Sequence, residues 1–406
     1  MVCGLCRCEL SEHRGFGFGG TWGYRRRGSS PFGERTDKIL AGCSITVKGW
    51  LKDFSGLLYV LGLLIIGLIN LWSASNTGGI TLFTKQILWV LIGSALGLWC
   101  CLTDYKQFET FAYYLYFGGV VLLGLLYPFG VKIEGAKRWL GFAGFYIQPS
   151  EFAKLGLIVA LARYFSKRPV QGDLSLSELG LPILMVLLPF CLVVFQPDLG
   201  TGLVLVGILG IVTLWIGLEK RDLLFLGVLT TIGCVGGWFL LKDYQKQRIL
   251  SFLDPWRDPL GTGYHLIQSK IAIGSGGIWG KGICLGTQAR LGFLPEYHTD
   301  FVFALLGEEW GFAGAVVVIL LFLGFLLWAF ETAQKAKDPF GRFLAMGIMS
   351  LFLLHVTINI GMALGLLPVV GLPLPFFSYG GSCMVVSLLA VGLLLSIRKR
   401  RRFFGT

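Results

Sequence analysis

Long apolar runs, separated by short polar or Gly/Pro-rich stretches, recur from about residue 51 to the C-terminus. A helix crosses a bilayer with roughly 17–25 predominantly apolar residues. Ten segments reach that length: 54–73, 83–102, 109–127, 149–165, 180–196, 199–218, 222–242, 300–331, 341–366 and 378–398. The pair flanking Gln196-Pro197 has almost no loop between its members, and a single proline-broken helix there would lower the count by one. Between the seventh and eighth spans lies a long stretch, 243–299, rich in Gly, Pro and aromatics. The pattern predicts an all-α integral membrane protein of ten transmembrane helices, with one long loop between helices 7 and 8.

Composition agrees. The 406 residues are 54% hydrophobic and only 14% charged, with a mean hydropathy of +0.71, where a soluble domain carries roughly 25% charge. The net charge of +12 does not signal nucleic acid, because the cations recur as short clusters between apolar runs. Such spacing belongs to membrane topology. With the N-terminus inside, the inner segments carry Arg25–Arg27, Lys106, Lys167-Arg168, Lys220-Arg221, Lys335–Arg342 and Arg398–Arg402. That alternation places both termini in the cytoplasm and makes 243–299 extracytoplasmic.

The chain then divides into a Gly- and Arg-rich extension, 1–50, read as cytoplasmic and disordered; a polytopic domain, 51–398; and a basic tail, 399–406. No apolar signal segment precedes residue 50. Of the ten cysteines, Cys100, Cys101, Cys191, Cys234, Cys284 and Cys383 lie in apolar or near-membrane segments and read as small hydrophobes. Cys3, Cys6, Cys8 and His13 have the residue types of zinc ligands. Their single tight cluster lacks the second ligand arm of most zinc folds, so a flexible tail is the plainer reading.

The unusual polar motifs all fall on the predicted outer face. In GAKRWLGFAGFYIQPSEFAK, Gly135–Lys154, two adjacent cations, Lys137 and Arg138, stand beside Trp139. Membrane anchoring explains an interfacial Trp and snorkelling cations, but outside cations run against the charge rule and point to an anionic ligand. Pro149 and Glu151 are ordinary helix-start residues. QPDLGTG, Gln196–Gly202, repeats that chemistry with Pro197 and Asp198. LPVVGLPLPFFSYGGS, Leu367–Ser382, packs Pro and Gly at membrane depth, which is tolerated only where backbone is buried in protein or lines a cavity.

Asp300, in LPEYHTDFVFALLGEEWGF, sits where polar loop turns into apolar helix. A carboxylate there either caps the helix or does chemistry, the default for an ionisable group at membrane depth. Glu308 lies about 12 Å further along the helix and is rotated by roughly 80°, so the two do not form a close carboxylate pair. Glu308 and Glu309 read as buried partners of cations on other helices or as packing polar groups.

Together these motifs resemble the SEDS family (shape, elongation, division and sporulation), most closely its RodA branch. GAKRW, QPSE, QPDLGTG, DPLGTGYHLIQSKIAIGSGG, LPEYHTDF and GLPLPFFSYGGS occur in matching order from about Leu51 to Arg398, and GTQARLGF, Gly286–Phe293, is more like RodA than FtsW. Val302 stands where the family usually has Ile. The resemblance implies a peptidoglycan glycosyltransferase of the bacterial inner membrane that polymerises lipid II during elongation. It also implies a class B penicillin-binding protein and other elongation-complex membrane proteins as partners. The family's essential aspartate maps onto Asp300, and Lys137, Arg138, Trp139, Asp198, Glu151 and His298 are candidate substrate contacts. A lipid II flippase and an FtsW-like division polymerase are the alternatives.

The chemistry suits one acid. A glycosidase needs a second carboxyl to protonate its leaving group, whereas pyrophosphate leaves unprotonated if cations stabilise it. Asp300 would take the proton of the acceptor hydroxyl while Lys137, Arg138 or a divalent metal, Mg²⁺ or Mn²⁺, holds the pyrophosphate. An unperturbed Asp, with a pKa of about 3.9, is a weak base that partial desolvation strengthens. Asp300 is equally suited to hold the metal itself. No organic cofactor is expected.

Overall fold

Helices that are apolar all round have no single face to bury, so their packing is set by where small residues let backbones approach and where polar residues need partners. The computed structural model describes residues 55–403 apart from 76–80, 134–135, 143–144, 168–173, 241–242, 260, 262 and 295. The N-terminal extension with Cys3, Cys6, Cys8 and His13, and the last three residues of the tail, lie outside the described residues.

The helices are α1 (Ser55–Ser75), α2 (Thr81–Leu102), α3 (Tyr105–Thr110), α4 (Ala112–Phe129), α5 (Pro149–Lys167), α6 (Gly180–Phe195), α7 (Leu199–Ile216) and α8 (Lys220–Leu240). They continue with α9 (Asp243–Leu253), α10 (Tyr264–Ser275), α11 (Thr287–Arg290), α12 (Val302–Lys335), α13 (Pro339–Leu364) and α14 (Gly381–Phe403). Among the described residues, nine are long and apolar enough to cross a membrane. The remaining expected segment, 149–165, forms α5, whose Glu151, Lys154 and Arg163 keep it out of that apolar set. Gln196-Pro197 separates two distinct helices, α6 and α7.

The all-α membrane fold holds, with two local additions. A small antiparallel sheet of β1 (Val131–Ile133), β2 (Ala136–Phe142) and β3 (Phe145–Ile147) stands between α4 and α5, in order β1-β2-β3. Its register pairs Val131 with Trp139 and Leu140 with Ile147. The stretch 243–299 is likewise no plain loop, since it folds into α9, α10 and α11 with a short 3₁₀ turn at Pro255–Arg257.

The apolar stretches of α13 and α14 are 72% and 89% buried, against 22% for α2 and 0% for α8. α13 and α14 are therefore the axis of the bundle, and α8 stands at its edge. α2 lies along α14 where Gly97 and Gly392 meet; a Cβ on either would overlap a backbone carbonyl across the crossing. The surface is the reverse of a soluble protein's: Leu58, Ile65, Leu91, Leu98, Val121, Leu184 and Leu224 face outward. Inside, Lys154, Glu308 and Arg398 are buried and ion-paired with Glu151, Lys281 and Glu331.

α12 is interrupted at Gly311 (φ 67°, ψ −164°), a conformation open in practice only to glycine. The break is closed by the glycine-rich segment after α10. Phe312 and Ala313 donate their N–H groups to the Gly277 and Ile278 carbonyls at 2.9 and 3.0 Å, and Lys281 and Gly282 donate to the Glu308 and Glu309 carbonyls at 3.0 Å. Backbone meets backbone here, because a Cβ on Gly276 would overlap the Gly307 carbonyl and one on Gly280 the Glu309 carbonyl. The Glu308 carboxylate also accepts from Lys281 Nζ, Thr287 N and Thr287 Oγ1 at 2.7, 2.7 and 2.9 Å, holding the start of α11. This partner is a loop lysine rather than one on another helix.

The break generates a prediction. Gly311→Ala is expected to cost about 1–3 kcal/mol from backbone strain alone and to lower the thermal midpoint measured in detergent. Gly124→Ala on α4, where a Cβ meets open space, leaves that midpoint unchanged or raises it. Equal midpoints for the two variants would contradict the account of the break.

Candidate active site

The turn before α12 is tight. The Glu296 carbonyl accepts from the N–H groups of Thr299, Asp300 and Phe301 at 3.2, 3.1 and 3.1 Å, while Glu296 Oε2 accepts from Thr299 Oγ1 at 2.8 Å. Asp300 follows directly, half-buried, and residues Val302–Glu309 behind it are fully buried. The cap position of α12 is Phe301, which makes no side-chain cap.

Opposite the turn runs the segment between α13 and α14, and Gly371 (φ 73°) abuts the acid. A Cβ there would stand 3.2 Å from Asp300 Oδ2, so glycine lets the backbone lie against the carboxylate. This segment is tied down on several sides. Tyr379 donates its N–H to the His298 carbonyl at 2.8 Å, and Ser378 Oγ donates to the Thr299 carbonyl. Gln86 of α2 donates to the Ser378 carbonyl at 3.2 Å. Asn359 Nδ2 of α13 donates to the Asp300 and Leu372 carbonyls at 2.9 and 2.7 Å. Phe376 takes a left-handed backbone (φ 67°) and is kept there by ring contacts with Phe352 and Phe325. Strain of this kind persists only where the surroundings over-determine it.

The neighbouring aromatics and cations complete the face. His298 packs at 6.3 Å from the Tyr379 ring, and its Nδ1 is buried with no partner among the described residues. His265 of α10 stacks on Phe301 at 6.1 Å. Burial holds the His265 imidazole below its usual pKa, with the Arg248 cation acting the same way and the Glu296 carboxylate opposing. Glu296, His265 and Tyr379 went unmarked in the sequence, because only folding brings α10 and the α13–α14 segment to this turn. Glu296 was the most accessible of the three to sequence reasoning, being four residues from Asp300.

The other candidates are differently engaged. Lys137 Nζ donates to the Tyr127 carbonyl at 3.0 Å, and Arg138 donates to the Gln196 and Pro197 carbonyls, so both strap β2 to its surroundings. Each is only partly buried and has further donors beyond those bonds. Trp139 is partly buried in the same strand. Asp198 is buried and caps α7, accepting from Thr201 N and Oγ1 at 3.3 and 2.9 Å. The first turn of α7 packs on the 370–372 segment, where a Cβ on Gly200 would come 2.9 Å from the Val370 carbonyl. Glu151 is buried and turned to Lys154 at 2.7 Å, so it serves the interior rather than the face.

Among the described residues, no group of three or more His, Cys, Asp and Glu side chains forms a metal cage. Asp300 and Glu296 are hard oxygen donors in one turn. That set fits a Mg²⁺ or Mn²⁺ ion only when substrate phosphate oxygens supply the remaining ligands.

Comparison with known proteins gives the family. Residues 51–403 match the family model of the FtsW/RodA/SpoVE group, described as "Cell cycle protein". The peptidoglycan glycosyltransferase MrdB of Escherichia coli K12 is 40% identical over 355 residues, covering 87% of this chain and 95% of its own. RodA of Treponema pallidum is 34% identical over 86% of this chain and 98% of its own, and stage V sporulation protein E of Bacillus subtilis is 38% identical over 88% and 100%. In structure, a chain described under "Structural coordination of polymerization and crosslinking by a peptidoglycan synthase complex" superposes with a TM-score of 0.74 at 34% identity, over 86% of this chain and 98% of that one. Thermus thermophilus RodA gives 0.65 at 29% identity, over 86% and 97%. The apolar helices and these relatives make this a multi-pass bacterial membrane protein. With the family model spanning most of the chain and relatives matched over nearly their whole length, the chain belongs to the FtsW/RodA/SpoVE family, the SEDS proteins.

Proposed function

We propose that this protein is a peptidoglycan glycosyltransferase that polymerises lipid II during cell elongation, with Asp300 as its general base. The observation that carries the reading is the placement of Asp300. A half-buried carboxylate heads the buried start of α12 and faces a backbone segment held by bonds from α2, α13 and its own turn. The relatives at up to 40% identity named as peptidoglycan glycosyltransferases support the substrate class. The GTQARLGF motif and the RodA relatives favour elongation over division.

In this reaction Asp300 takes the proton of the acceptor sugar's 4-hydroxyl as the oxygen attacks the anomeric carbon of the donor. Undecaprenyl pyrophosphate departs from the opposite face, so the configuration inverts. The leaving group needs positive charge rather than a proton. Lys137 and Arg138 are the proposed donors, using N–H groups not spent on the Tyr127, Gln196 and Pro197 carbonyls. His298 and the Asp198-capped turn border the same segment, and Trp139 is proposed as a further substrate contact. A second role for Asp300, holding a divalent cation with the substrate's phosphates, is favoured by Glu296 in its turn.

The proposed setting is the bacterial inner membrane, with both termini cytoplasmic and the Asp300 face outside. Cations gather at the other end of the bundle, where Arg400 pairs with Asp104 and Arg398 with Glu331, and Lys335 lies beside them. That is the inner-side pattern. A class B penicillin-binding protein is the proposed partner, supported by the resemblance to a chain of a peptidoglycan synthase complex; other elongation-complex membrane proteins are proposed beside it. A lipid II flippase is the second reading, favoured by the break in α12, since transporters use discontinuous helices.

Three outcomes are expected. Asp300→Asn lowers the rate of glycan synthesis from lipid II by about 10²–10⁴, measured in detergent with the partner present, while elution and melting stay as in wild type. Near-normal product from that variant would remove Asp300 from the chemistry. Chelating divalent metal leaves most of the wild-type rate if Asp300 acts as base; a comparable collapse restored by Mg²⁺ or Mn²⁺ assigns it the metal role. Proteoliposomes containing fluorescent lipid II show glycan lengthening in place of transport alone, and movement of lipid II without lengthening would favour the flippase.

A further inference from the structure

We infer that His355 and Asn359, one turn apart on α13, are positioning residues that hold the 371–373 segment against the Asp300 carboxylate; this rests on the polymerase reading above. The two side chains share a helix face at i and i+4 and are both buried. Each reaches a consecutive carbonyl of the same segment. Asn359 Nδ2 donates to Leu372 O at 2.7 Å, and His355 Nδ1 lies 3.1 Å from Pro373 O. The immediately preceding residue is Gly371, the one that abuts Asp300 Oδ2.

The chemistry of the partners settles the direction of every bond. The Lys154 ammonium has only donors, and its Nζ stands 2.8 Å from His355 Nε2 and 2.7 Å from Glu151 Oε1. Nε2 is therefore the bare, accepting nitrogen, and Nδ1 carries the hydrogen that the Pro373 carbonyl accepts. The buried Glu151–Lys154 pair thus selects the tautomer that grips the segment. Asn359 works in the same way: its amide can face two carbonyls only with Nδ2 toward them, and it donates to Asp300 O at 2.9 Å as well as to Leu372 O. One side chain bridges the backbone of the proposed base to the backbone packed against its carboxylate. The Leu372 and Pro373 carbonyls thus take their donors from side chains of α13.

Neither residue touches the reacting atoms. Their effect is expected through geometry, where displacements of about 1 Å cost up to about 10²-fold in rate. The histidine offers a test that separates its two nitrogens. Asn at 355 places an amide nitrogen near the Nδ1 position and keeps the donor to Pro373 O. Gln places its amide near Nε2 and keeps the contact to Lys154 instead. Polymerisation of lipid II by the full chain with its penicillin-binding partner is measured for His355→Asn, His355→Gln, Asn359→Ala and Asp300→Asn, together with amide hydrogen exchange at Gly371 and Leu372.

His355→Asn is expected to keep kcat within about threefold. His355→Gln and Asn359→Ala lower kcat by about tenfold or more, with the KM for lipid II within about twofold and faster exchange at Gly371 and Leu372. A Gln variant as active as the Asn variant, or more so, overturns the inference. So does a slow variant with unchanged exchange. Should Asn359→Ala not fold, the two His355 variants decide alone. An inactive Asp300→Asn beside a fully active His355→Gln removes the positioning role and leaves the polymerase reading. A fully active Asp300→Asn removes both.

Discussion

Backbone hydrogen bonding is the constraint on which the rest of this structure depends. In an apolar medium each unpaired N–H or carbonyl costs several kcal/mol, so a helix is interrupted only where something else completes its ladder. α12 is interrupted at Gly311, and Gly277–Gly282 complete it from outside. Gly276 and Gly280 let backbone lie on backbone there, since a Cβ on either would overlap the Gly307 or Glu309 carbonyl. With the ladder closed in this way, the short helical stretch from Val302 to Trp310 is tied to the segment after α10, and Asp300 stands at its head.

The same rule shapes the face opposite. The Leu367–Tyr379 segment is non-helical backbone amid buried helices, and its polar groups are met by side chains: His355 and Asn359 from α13, Gln86 from α2, and Ser378 from within. The buried ions fit the same logic. Glu151, Lys154 and Glu308 are each paired and hydrogen-bonded, as buried charges must be. Buried ions here brace the backbone that frames Asp300, and the outward surface is left to apolar residues.

Much of this was legible before folding. The long apolar segments and the cationic flanks between them follow from length and charge alone, because lipid imposes them residue by residue. Asp300 was legible for the same reason, as an acid at a membrane boundary. The small sheet at 131–147 was not, since short strands flanked by glycines carry too weak an alternation. The helices within 243–299 were hidden by the loop-like Gly and Pro content around them.

What the sequence by itself determined, then, is the membrane class, the family and the acid at residue 300, all of them local in composition or motif. The tertiary structure alone decided what those residues do to one another. It turned Glu308 toward a loop lysine, gave Glu151 to Lys154 and engaged Arg138 with the α6–α7 turn. It also set Gly371 against Asp300 across a separation of 71 residues. Spacing along a chain cannot encode such meetings, because they follow from which backbone groups remain unpaired once the helices have formed.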